Sequence, residues 1–435
     1  MRLALRALLI GALCSLALGA CEEDPVTPPA PITGPTLPIE DFTFTELTPA
    51  PDGPGHWPKE ARGVSLDEED LVVLRARRDE LNGKLGRLVI NRPLLTLVTN
   101  EACLTAARAT PQEPLAQVRA LLERLRAEGV TLGEVVVNVE LLRASRTDLY
   151  HQCLSTSPAL FSAQELRAQL LRAFRDLAGL EGLTAVTFGV DLNSYYHLTD
   201  PMTGLERRWD YINLISLYHE VYDALKETRP ALKVGPGLSW SRLMNQTRSG
   251  VAEELSLDLA DPAQAHLALE VGLRRTVWPL LVGAGGAAKA DFVGVSLIPA
   301  AAEEPFNNSP EPEQEALNAY YLHLPLMGRP AADLTAEPLE LPVAYPQVDW
   351  TTESNFKANE KSSFLERVKV ALRHVEPLFV GWLRFSDLPK EPQMSSKCRN
   401  FTDEPKLYPE SFCFSGLFGD SGQPKSAWET YTTDP

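Results

Sequence analysis

Glu134-Val135-Val136-Val137-Asn138-Val139-Glu140-Leu141 is the stretch on which the fold turns. Its valines leave neither face polar, so a strand built from it is covered on both sides, as happens in parallel sheets with helices packed outside them. Working outward, similar short apolar runs recur at Gly63-Val64-Ser65-Leu66 and at 88–97, 183–192, 232–238, 292–297, 341–348 and 378–385. Helical segments separate them. Ser162-Ala163-Gln164-Glu165 predicts a capping box ahead of Leu166, Leu170 and Leu171, and residues 208–228 carry an apolar stripe that stops before Pro230. Eight alternations of strand and helix over residues 59–435 predict an α/β protein of the (β/α)8 TIM barrel class. An open doubly wound sheet would need G-x-G-x-x-G in its first strand-to-helix turn, and that turn has none. The cluster Gly283-Ala284-Gly285-Gly286 precedes a strand and reads as a helix end.

The 435 residues carry 41 Lys and Arg against 58 Asp and Glu, a formal charge of −17, and are 44% hydrophobic. That excess of negative charge repels phosphate backbones and anionic headgroups, which argues against nucleic acid as a partner. Residues 1–20 place Arg2 and Arg6 before an apolar run from Ala7 to Leu18, too short to span a bilayer, and so read as a secretory signal peptide. The run ends in Leu18-Gly19-Ala20-Cys21, which resembles the bacterial lipobox. The resemblance implies lipidation of Cys21, and with it an exported chain anchored to the bilayer on a periplasmic or surface face. Residues 21–58 are the lipidated cysteine and a proline-rich linker, whose first twenty or so residues could hold a domain roughly 60 Å from the lipid in polyproline geometry.

Cysteine usage agrees with export. Cys14 leaves with the signal and Cys21 takes lipid, so Cys103, Cys153, Cys398 and Cys413 remain for disulfides. A local Cys398–Cys413 bridge would close a loop of about 15 residues, worth on the order of 3 kcal/mol, with Cys103–Cys153 as the second; the other connectivities stay open. No metal site is expected: no C-x-x-C pair occurs, and His219-Glu220 is followed by Asp223 where a second histidine would be needed. No cofactor motif is found, and a monomer is expected.

In a barrel of this class, function gathers at the C-terminal ends of the strands. The fourth strand leads into Gly189-Val190-Asp191-Leu192-Asn193-Ser194-Tyr195-Tyr196, the seventh into Tyr345-Pro346-Gln347-Val348-Asp349-Trp350, and the chain closes with Gly381-Trp382 and Gln423-Pro424-Lys425-Ser426-Ala427-Trp428. Together these resemble the retaining (β/α)8 glycoside hydrolases, nearest to endo-β-1,4-galactanases and their relatives, over roughly residues 60–435. In that clan the fourth strand ends in Gly-Asn-Glu and the seventh in Glu-x-Gly-Trp, the two glutamates acting as acid/base and nucleophile about 5–5.5 Å apart. The resemblance places Val190 where the clan has Asn, Asp191 where it has the acid/base, and Gln347 where it has the nucleophile.

An amide cannot attack an anomeric carbon, so the resemblance implies a barrel that has lost the retaining machinery and binds an oligo- or polysaccharide without cleaving it. The alternative is an active hydrolase on a plant or bacterial polysaccharide using Asp191 and Asp349, the latter expected about 6.6 Å beyond Gln347 on the same strand face. A third reading is a non-catalytic envelope scaffold. Glu140, near the end of the third strand, is another candidate acid, with a paired carboxylate of the barrel as the favoured reading. Trp240, Trp350, Trp382 and Tyr195 fall at or beyond strand ends, where aromatic faces can stack on sugar rings, and Asn193 lies beside them.

Overall fold

The computed structural model describes residues 57–94, 115–141, 161–198, 207–298, 324–330, 337–350, 358–373, 375–387 and 414–433. The expectations for the signal peptide, for Cys21, for the linker up to residue 56 and for the four cysteines Cys103, Cys153, Cys398 and Cys413 lie outside these residues. No helix among the described residues is long and apolar enough to cross a membrane.

Eight parallel strands close into a barrel in sequence order: β1 (Arg62–Ser65), β2 (Arg87–Pro93), β3 (Glu134–Glu140), β4 (Leu183–Phe188), β5 (Lys233–Ser239), β6 (Val293–Ser296), β7 (Val343–Val348) and β8 (Val380–Trp382). Each of the eight apolar runs supplies one strand. Around them lie α1 (Leu71–Lys84), α2 (Ala116–Ala127), α3 (Gln164–Ala178), α4 (Leu192–Tyr196), α5 (Arg208–Thr228), α6 (Arg248–Leu255), α7 (Pro262–Thr276), α8 (Ala358–Ala371) and α9 (Ser426–Thr432). The strand residues that face these helices, such as Val135, Val137 and Val139 of β3, belong to one large buried cluster. The alternate residues Val89, Val136, Ala185 and Ala344, with Phe292 and Phe379, form a separate cluster that fills the barrel interior.

Several expected boundaries shift for physical reasons. The fourth run stops being a strand at Phe188, because Gly189 turns the chain at φ 69° and Leu192 already opens α4. Gly237 lets β5 approach that turn: a Cβ there would lie 1.8 Å from the Gly189 carbonyl oxygen. The last run divides into β8 and a short β9 (Arg384–Ser386), which pairs with β10 (Gly416–Phe418) in a two-stranded sheet of its own. The capping box expected at Ser162 does not form; α3 starts at Gln164 with Ala163 as its N-cap and no side-chain cap bond.

One irregularity positions the candidate site. β7 pairs with β8 through Tyr345↔Val380 and Val348↔Trp382, so three steps along β7 match two along β8. This bulge interrupts the period-two alternation on which a shared face of Gln347 and Asp349 was expected. Tyr345 packs against Trp57 in the helix-facing cluster, whereas Gln347 reaches across the barrel to β3. The expected common face of Gln347 and Asp349 is therefore corrected: Asp349 lies against Lys361 of α8.

Candidate functional site

The interior above the apolar layer is polar and joined by hydrogen bonds. Asn91 of β2 donates to Ser65 Oγ at 3.0 Å; Asn138 of β3 donates to Asn91 Oδ1 at 3.0 Å and to the Pro346 carbonyl of β7 at 2.8 Å. Asn138 thus ties two opposite walls of the barrel together. One layer nearer the C-terminal mouth, Gln347 Nε2 donates to Glu140 Oε1 at 2.8 Å, again from β7 to β3. Glu140 is 8% exposed and Gln347 3% exposed, so this pair stands at the edge of the buried interior. The β-strand alternation that puts Val136 and Asn138 inside also puts Glu140 there. This was legible in the sequence; that its partner would be Gln347 depended on the bulge and was not.

Asp191 is buried at the exit of β4, as the N-cap residue of α4, and makes no side-chain cap bond there. Asn193 is fully buried, and its amide is consumed by the end of β5: its Nδ2 donates to the Ser239 carbonyl at 2.9 Å while its Oδ1 accepts from the Ser239 N–H at 2.8 Å. Asn193 therefore fixes α4 on β5. Tyr195 turns away from the barrel, its hydroxyl donating to Asp210 Oδ2 at 2.6 Å and its ring edge-on to Phe161 at 5.2 Å. Burial, with the Asp210 charge next, pushes its hydroxyl far above the usual tyrosine range.

The structure places Asp349 in a sealed ionic cluster. It is 0% exposed, its Oδ2 accepts from the Ser415 hydroxyl, and its Oδ1 lies 3.6 Å from Nζ of Lys361 on α8. Burial raises the Asp349 carboxyl and lowers the Lys361 ammonium, each opposed by the other's charge. Lys425, bonded to Asp387 at 2.6 Å, adds a second pair nearby. Asp349 as placed supports the loop ends around β7 and β8. Trp382 is fully buried on the helix side, its indole N–H donating to the Ser415 carbonyl at 2.8 Å and its ring 5.8 Å from that of Tyr431. Trp240 is buried as well. Trp350 remains partly exposed and stacks at a tilt on Phe364, 5.0 Å between centroids. Of the four aromatics named above from the sequence, it is the one that keeps exposed surface, while packing against the helix-facing cluster. No group of three or more metal-ligating side chains occurs among the described residues.

No family model matches the chain, and no curated protein matches it. Solved structures do. A GH5_18 protein from Streptomyces cattleya, in complex with Manβ1-4GlcNAc, superposes with a TM-score of 0.54 at 14% identity, covering 86% of this chain and 79% of the other. An exo-β-1,4-mannosidase from an Opitutaceae bacterium gives a TM-score of 0.51 at 12% identity over 88% of this chain. A family 39 glycoside hydrolase from Bacteroides cellulosilyticus matches at a TM-score of 0.48 and 14% identity over 86% of this chain. The chain spans 61% of the mannosidase and 62% of the family 39 enzyme. At these identities the likeness is one of architecture. The closed ring of eight parallel strands is a (β/α)8 TIM barrel, the fold that these glycoside hydrolase structures also have.

Proposed function

We propose that this barrel binds a neutral oligo- or polysaccharide at its C-terminal mouth and does not cleave it by the retaining route. One observation carries the reading: the β7 position that faces across the mouth holds the Gln347 amide, engaged as a donor to Glu140. A retaining glycosidase needs a carboxylate there to attack the sugar and to carry the intermediate. The glycoside-hydrolase architecture supports a sugar as the ligand, and partly exposed Trp350 offers a stacking face. The protein is read as an exported lipoprotein held to a bacterial membrane through acylated Cys21, a monomer whose linker spaces the barrel from the lipid.

The test is to incubate purified protein with galactan, arabinogalactan, mannan and β-glucan, following both binding and the release of reducing ends. Binding without release is expected. Hydrolysis with retention of configuration, abolished by Asp191→Asn, would overturn the reading. The second reading, an active hydrolase, draws support from Glu140, which brings a carboxylate into the mouth where Asp349 does not. Its mark would be inverted product and a loss of turnover on Glu140→Gln.

A further inference from the structure

The Gln347–Glu140 contact does more than fill space. A carboxylate oxygen accepts hydrogen bonds, so a contact at 2.8 Å dictates which way the amide faces: its NH2 group turns to Glu140 and its carbonyl oxygen turns away. The backbone carrying Gln347 is held as well, because the preceding Pro346 carbonyl accepts from Asn138 on the same strand as Glu140. Both the side chain and its base are thereby anchored to β3, two residues apart. Free amides at a mouth rotate, and each rotation presents a different donor and acceptor pattern; here one pattern is selected.

We propose that Glu140 is a positioning residue for the ligand. It orients Gln347 so that Oε1 accepts from one ring hydroxyl while the second amide N–H donates to the oxygen of the next. This proposal rests on the sugar-binding reading and sharpens it. An acceptor and a donor side by side match adjacent hydroxyls of an uncharged pyranose, each of which both donates and accepts. A uronic carboxylate, which only accepts, would meet the amide carbonyl with no proton between them.

The experiment is calorimetric titration of the full mature chain with β-1,4-galactotetraose, mannotetraose and cellotetraose. At least one is expected to bind. Glu140→Ala should then weaken that ligand by about tenfold, the loss of one well-oriented hydrogen bond. Glu140→Gln should stay within about threefold, because its own carbonyl still accepts the amide N–H. The decisive readout is coupling: if Glu140 acts through Gln347, the double variant Glu140→Ala/Gln347→Ala binds no more weakly than Gln347→Ala alone. Additive losses, or a Glu140→Ala protein that binds like wild type, overturn the positioning role while leaving sugar binding intact. A folded wild type that binds none of the three tetraoses overturns sugar binding and this proposal together. Should circular dichroism show Glu140→Ala unfolded, Glu140→Asp, one methylene too short to reach the amide, takes its place in the cycle.

Discussion

Replacing the Gln347 amide by a carboxylate sets two acids within a hydrogen bond of each other, since Glu140 Oε1 lies 2.8 Å from Nε2. Two carboxylates at such a distance cannot both ionise in a nearly buried site, so one of them holds its proton well above the ordinary range. Gln347→Glu is therefore expected to be destabilised by roughly 1–3 kcal/mol at pH 8, with much of the loss recovered near pH 5, where the pair shares a proton. Urea unfolding at the two pH values checks this; equal destabilisation at both would mean that the two side chains do not face each other. The identity of Gln347 at this position was legible from the motif alone. Its direction was not, because period-two alternation fails where β7 bulges, and the extra residue is visible only in the pairing of Tyr345 and Val348 with β8. Asp349 shows the same limit: its role depends on Lys361 and Ser415, which reach it from α8 and from the segment before β10.

At the scale of elements, strands were readable because each run had to be apolar on both faces, whereas the aromatics were misjudged because their partners are remote in sequence. Tyr195 is claimed by Asp210, and Trp382 by Ser415. The junction of β1 with β9 was likewise hidden. There Asp70, just before α1, accepts from the Ser386 N–H of β9 at 3.0 Å and from the Asp67 N–H at 2.9 Å. Burial lifts the Asp70 carboxyl to about 7, Asp67 adds to the rise, and Arg384 opposes it. An acid whose folded value lies above its unfolded one favours the folded state while protonated. Its contribution is full below about pH 4 and is lost as pH rises through 7, amounting to a few kcal/mol at most. Asp70→Asn removes that titration, so the margin by which wild type exceeds the variant in thermal midpoint should shrink between pH 5 and pH 8. A margin that widens over that range would show that Asp70 is charged in the fold.

For the molecule as a whole, ring closure is the step that makes a barrel from eight strands, and the last described helix secures it. β1 meets β8 through Arg62↔Val380, Gly63↔Gly381 and Val64↔Trp382, a short seam between the first and last strands. Tyr431 of α9 lies across it. Its hydroxyl accepts from the Gly63 N–H at 3.2 Å and can donate to the Gly63 carbonyl at 2.7 Å or the Val380 carbonyl at 2.9 Å. Its ring packs between Trp57 and Trp382, at 6.1 and 5.8 Å between centroids. Lys369 of α8 bonds the Thr430 carbonyl at 2.6 Å and so holds α9 in place. A contact between residues 368 apart is costly to form in chain entropy and is made late, but once made it links both ends of the sheet. Tyr431→Phe, which removes the hydroxyl and keeps the packing, should cost about 1–2 kcal/mol, and Tyr431→Ala about 3–5 kcal/mol through the added cavity. Because the seam forms after the rest of the sheet, the loss in Tyr431→Phe should appear mainly as faster unfolding, with refolding little changed. Stopped-flow measurements in urea separate the two limbs, and a loss confined to the refolding limb would mean that closure precedes the other strands.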